Sequence, residues 1–210
     1  MVNLREAIEK LEELTRPKRG VKPSFDTAVL VLALLTLQEK GPMGRPYLMN
    51  ALSIHEAQAK TLIKKLKGEE LVVSDKLMGL RLSPKGEELV RAFRENVEIL
   101  PDCYELKTIS WTVTGAVLKA RAKTVEKYGV PKLRDIAVSK GATGALLAVR
   151  EGDEIVLPPK ALNESEEVRE LKRELKEKFG SLSQGDLLVL VTPCDKVILL
   201  RTVLDYLNLE

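Results

Sequence analysis

Cysteine and histidine are scarce in this chain: Cys103, Cys194 and His55 are the only ones. Two distant thiols and one imidazole make neither a metal-ligand cluster nor a disulfide framework, so no metal and no cofactor are expected. Long apolar runs are also missing. The longest, AVLVLALLTL from Ala28 to Leu37, falls short of the roughly 18 residues that suggest a membrane span. The first residues, MVNLREAIEKLEEL, are charged and amphipathic with no apolar signal core, which predicts a cytoplasmic protein without membrane contact. No phosphate loop, nucleophile elbow or hydrolase triad is found, so no catalytic residue is assigned. Glutamine is rare beside abundant Lys, Arg and Glu, a balance that fits a thermophile. A disulfide inside such a cell is permitted, so the pairing of Cys103 with Cys194 stays open.

What is present is a soluble, globular composition, 44% hydrophobic and 31% charged over 210 residues, enough for two small domains. Net charge is only +3, but it is unevenly placed. Residues 40–85 carry nine basic side chains against four acidic ones, whereas residues 101–210 balance at 17 each. An anionic partner is therefore expected at the first half.

Leu4, Ala7, Ile8, Leu11 and Leu14 recur at helical spacing, and the proline- and glycine-bearing TRPKRGVKPS (15–24) follows as a basic linker. A second helix runs from Asp26 to about Lys40 and stops at Gly41-Pro42. A short helix over 45–52 comes next. Ser53 and Glu56 have the spacing of a capping box opening a further helix to about Lys67. LVVSDKLMGLRLS (71–83) reads as a β-hairpin, and Ser83-Pro84 starts a helix through LVRAFRENVEIL. The break at Pro101-Asp102 sets the domain boundary: 1–25 helix and linker, 26–100 first domain, 101–210 second domain.

The order helix, short helix, capped helix, hairpin, helix is that of a winged helix-turn-helix. GRPYLMNALSIHEAQAKTLIKKLKGEELV resembles the second and third helices of prokaryotic winged-helix regulators, and LRLSPKGEELV resembles the end of their wing and the next helix. On the third helix Ala59, Leu62, Ile63 and Leu66 form an apolar face. His55, Gln58, Lys60, Thr61, Lys64, Lys65 and Lys67 lie on or beside the opposite face. Gln, Thr and Lys can meet base edges in a major groove, while lysines neutralise phosphates. Lys76 and Arg81 flank the hairpin tip and are expected to grip the backbone or minor groove. A solvated lysine face, or one used for protein contacts, is the competing explanation.

The second half mixes strands and helices: a strand over 109–117, a helix over 130–140, a hairpin over 143–158, a charged helix over 164–179, a buried strand at LLVLVT (187–192), and a helix from Pro193 to Leu209. Arg134 and Asp135, then Gly141, Thr143 and Gly144, stand at a helix-to-strand junction where exposed N–H groups can cradle an anion. A plain helix cap at Gly141 and strand entry at Gly144 is the alternative. Thr192 is expected to cap a helix that holds Cys194 in its first turn, a position that favours anions and lowers a thiol pKa. Cys194 as a small packed residue is the alternative. The R-D-x-A-x-x-x-G-A-x-G pattern from Arg134 to Gly144, following such an N-terminal half, resembles archaeal winged-helix proteins with an uncharacterised C-terminal α/β domain. That resemblance implies an α+β chain: an N-terminal winged helix that reads double-stranded DNA, joined to a mixed α/β domain that senses a small-molecule effector or dimerises. The expectation is a transcriptional regulator acting as a homodimer. The alternatives are a metabolite-binding enzyme with an appended winged helix, or a protein-interaction adaptor.

Overall fold

Asn3 opens the first helix, α1 (Leu4–Thr15), with a reciprocal cap: its Oδ1 accepts from the Glu6 N–H at 2.9 Å while the Glu6 carboxylate accepts from the Asn3 N–H. The computed structural model describes residues 3–17, 25–75, 77–160 and 163–209. Most of the basic linker, and Lys76, lie outside the described residues. The chain is α+β, with antiparallel sheets, and forms two compact units, Met1–Arg94 and Glu95–Glu210.

In the first unit α2 (Thr27–Lys40) is capped by Asp26 and buried nearly all round, as its unbroken apolar sequence requires. Helices α1 and α5 (Pro84–Arg94) pack against it. Helix α3 (Arg45–Leu52) ends in Ser53, which adopts the left-handed conformation at φ 52°. Ser53 therefore closes α3 instead of opening the next helix. The N-cap of α4 (Glu56–Gly68) is His55, and its box partner is Gln58, whose Oε1 accepts the His55 N–H at 3.0 Å. The expected Ser53–Glu56 box is thus shifted by two residues. Strands β1 (Val72–Asp75) and β2 (Gly79–Leu82) form the hairpin. Gly79, at φ 92°, touches the chain at Met43 so closely that a Cβ would stand 2.5 Å from the Met43 carbonyl oxygen. That approach lets Met43 and Leu80 exchange both backbone hydrogen bonds.

Helix α5 stops at Arg94, six residues before the expected end. Val97–Ile99 is instead strand β3, paired with Val117 and its neighbours. Two β-branched residues with a ladder partner favour a strand there, and the partner is invisible in the local sequence. The second unit is built on an antiparallel sheet of order β3-β5-β8-β6-β7, with β4 (Tyr104–Leu106) also on β5. Its strands are β5 (Trp111–Leu118), β6 (Gly144–Glu151), β7 (Glu154–Val156) and β8 (Leu187–Thr192). A short 3-10 turn, Lys107–Ile109, precedes β5 where a strand start was expected. Alternation sends Val113, Val117, Ala148, Leu188 and Leu190 to one face, where Leu171, Leu175 and Phe179 of α8 (Glu166–Phe179) cover them. The intervening Ala116, Leu147, Val189 and Val191 belong to the other face, against which α7 (Val130–Ser139) and α9 (Lys196–Leu207) pack. Being central, β8 needs apolar residues at every position. Tyr206 of α9 donates its hydroxyl to the Leu133 carbonyl of α7 at 2.6 Å, and burial pushes that phenol well above its usual pKa. Helix α6 (Ala122–Tyr128) and strand β4 were not anticipated; each is short and carries no strong periodic or capping pattern.

Candidate nucleic-acid interface

Helix α4 is anchored by Ala59, Leu62 and Leu66, all fully buried, and this fixes which side of it meets solvent. On that side Lys60, Thr61, Lys64 and Lys67 are exposed. Lys64 and Lys67 have no acidic partner among the described residues. Lys60 pairs with Glu56 at 3.0 Å, one helical turn away. Arg45 of α3 reaches the same carboxylate oxygen at 3.4 Å, so three side chains from two helices share one cluster. The Lys60 hydrogen bond and charge, with Arg45 behind them, hold the Glu56 carboxyl below its usual pKa. All three side chains are about half exposed, where ion pairs are weak and exchangeable. Glu56 can therefore yield both cations to a phosphate. Arg45 escaped the sequence reading because eleven residues separate it from Glu56.

Gln58 and Lys65 have other duties. The Gln58 side-chain oxygen is engaged at the His55 N–H, which ties both residues to the helix start. Lys65 turns back: its ammonium donates to the Leu14 carbonyl at the end of α1 and stands 5.6 Å from the Phe25 ring centre. It holds α1 against α4 and does not join the exposed comb. Thr61 is exposed and donates its hydroxyl to the Ala57 carbonyl at 3.0 Å. On the hairpin Arg81 is exposed opposite Val73. The Met78 and Leu77 N–H groups both bond Asp75 Oδ1, folding the turn and lowering the Asp75 pKa. The turn leaves Leu77 and Met78 at 95% and 62% exposure, too open for a packing role.

In the second unit the structure brings Gly141, Thr143, Gly144 and Thr192 together but commits their polar groups. Gly141, at φ 107°, donates its N–H to Val138, and the Ala142 N–H goes to Ala137. Thr143 gives both its N–H (2.7 Å) and its hydroxyl (3.1 Å) to the Thr192 carbonyl. Gly144 pairs with Thr192 in the ladder, and a Cβ there would stand 2.6 Å from the Trp111 ring. This is a helix cap and strand entry, with the glycines demanded by turn and packing. Arg134 and Asp135 lie on the exposed side of α7. Cys194 is joined to Cys103, Cα to Cα 5.8 Å, so no free thiol is offered. The cap of α9 is Asp195, whose Oδ1 accepts from Val197 and Ile198, in place of the expected Thr192. No metal-ligand group of three or more is found among the described residues, and no helix described is long and apolar enough to cross a membrane.

Residues 109–202 match the family described as Domain of unknown function (DUF4443). No curated protein matches the chain. Among solved structures it is similar to a hypothetical protein from Pyrococcus horikoshii OT3, with a TM-score of 0.62 and 22% sequence identity over 87% of this chain and 90% of that one. At that identity the likeness speaks for the fold alone.

Proposed function

We propose that the chain is a DNA-binding transcriptional regulator. In this reading residues 26–94 form a winged helix-turn-helix, α4 is the recognition helix and the β1–β2 hairpin is the wing. The observation that carries it is the solvent face of α4: Lys60, Lys64 and Lys67 project from a helix whose other side is locked into the core. A helix so presented suits a major groove, with lysines on phosphates and Thr61 at a base edge or thymine methyl. Arg45 and Arg81 extend the same basic character to α3 and the hairpin. Lys65 is withdrawn from the contact set by its bond to Leu14.

The second unit then serves as the sensing or dimerising module, and two copies would set two α4 helices about 34 Å apart on one face of the duplex. Fluorescence anisotropy with a labelled random-sequence duplex at low salt tests the reading. Binding that fades steeply as salt rises supports it; no binding at low salt overturns it. Sedimentation of the protein–duplex complex tests the dimer, and a 1:1 stoichiometry on a palindromic site would remove it.

A further inference from the structure

The second unit contains a cleft of about 1410 Å³ at the end of the sheet away from Gly141 and Thr192. It runs between α6 with the start of α7, the β6–β7 hairpin and the Pro158–Lys160 segment. The volume exceeds the ~300–1000 Å³ usual for small-ligand sites. Its floor is aliphatic, with Val125, Val130, Val149 and Val156 among its lining. No aromatic ring lines it among the described residues, which removes the stacking surface that a nucleobase would use.

The charges at the rim sort themselves by partnership. Arg150 donates to the Gly152 carbonyl at 2.7 Å and pairs with Asp153. Lys160 pairs with Glu151. Gln184 is bound to the Gly152 N–H at 2.6 Å. Two charged side chains on the wall, Lys123 and Glu126, are exposed and have no ion pair among the described residues, with each other or with anything else. Three residues apart on α6, they stand side by side on one helix face. They offer one cation and one anion, close together, above an apolar floor.

We infer that this cleft binds an aliphatic α-amino acid. Its carboxylate meets Lys123, its ammonium meets Glu126, and its hydrocarbon body lies on the valines. An ammonium and carboxylate on one carbon match two opposite charges one helical turn apart; a simple fatty acid or amine satisfies only one and leaves the other facing it. The cleft has room for a body longer than that of leucine. The inference rests on the cleft alone and holds whether or not the first unit binds DNA.

Isothermal titration of the full chain with 2-aminodecanoic acid, leucine, decanoic acid and decylamine tests it. The expected order places 2-aminodecanoic acid first, with affinity rising about fourfold per buried methylene over shorter homologues. Decanoic acid and decylamine each bind about tenfold more weakly, lacking one charge-assisted contact. Lys123→Ala and Glu126→Ala, both at exposed positions, each reduce affinity for 2-aminodecanoic acid about tenfold with an unchanged circular dichroism spectrum. Absence of binding, equal binding of decanoic acid, or variants that bind like the parent would each overturn the inference.

Discussion

Replacing Lys65 by methionine keeps most of the aliphatic stem and removes the ammonium. The hydrogen bond to the Leu14 carbonyl and the contact with the Phe25 ring at 5.6 Å are among the interactions that go with it. A hydrogen bond from a charged donor contributes about 1.5–3 kcal/mol, and a partly exposed cation over a ring about 0.5–1. Lys65 is half-buried, so solvent screens part of both, and the new methyl group gains some burial. The expected loss is about 1–2 kcal/mol. Lys64→Met, one residue away on the open side, should change stability by less than about 0.5 kcal/mol. Urea unfolding of both variants reads the difference as a shift in midpoint at constant slope. Equal midpoints would refute the assignment of Lys65 to the α1–α4 junction and return it to the solvent comb.

Reducing Cys103–Cys194, or replacing both by serine, opens a cross-link between residues 91 apart. The loop length predicts a loss of up to about 4.6 kcal/mol, seen as a lower denaturant midpoint; an unchanged midpoint would show that the pair does not hold the fold. Gly86→Ala forces a Cβ to 2.1 Å from the Leu71 carbonyl oxygen, so a loss of at least about 2 kcal/mol by thermal unfolding is expected. Glu174 accepts from the N–H groups of Lys107 and Thr108 and from the Thr108 hydroxyl. Burial pushes its carboxyl up, but those three bonds and the nearby Lys178 charge together outweigh it and leave the pKa below the usual 4.5. A carboxyl lowered in the folded state stabilises above its unfolded pKa, and that contribution is lost as pH falls through the folded value. Glu174→Gln should therefore flatten the decline in stability below about pH 4.5; an acid limb identical to the parent's would contradict this.

How far the sequence could be read depended on where the information lay. The apolar run after Asp26, and six consecutive apolar or β-branched residues at 187–192, announce a helix and a buried strand by themselves, while the capping role of Asp26 came from the structure. The end of α5 could not be placed, because Val97 and Ile99 become a strand only when β5 lies beside them. Ser53 fits a capping box by composition, yet its left-handed backbone is set by the turn from α3 to α4. The disulfide needed register: Tyr104 opposes Val113 and Thr114 opposes Val191, which carries 103 and 194 to the same end of the sheet. At the candidate interface the lysine comb was legible, but its sorting was not. Lys65 is set apart from Lys64 by the end of α1 lying on its side of the helix, and Arg45 joins Lys60 only through the packing of α3 on α4.

The most direct test of DNA binding by α4 is the salt dependence of duplex affinity for the parent and for a Lys60→Ala, Lys64→Ala, Lys67→Ala variant, with unfolding midpoints measured alongside. If all three lysines contact phosphates, the slope of log K against log salt falls in magnitude by about 3 × 0.9 while the fold is retained. A folded variant whose affinity and slope match the parent's would contradict the account, because it would leave the exposed face of α4 with no part in binding.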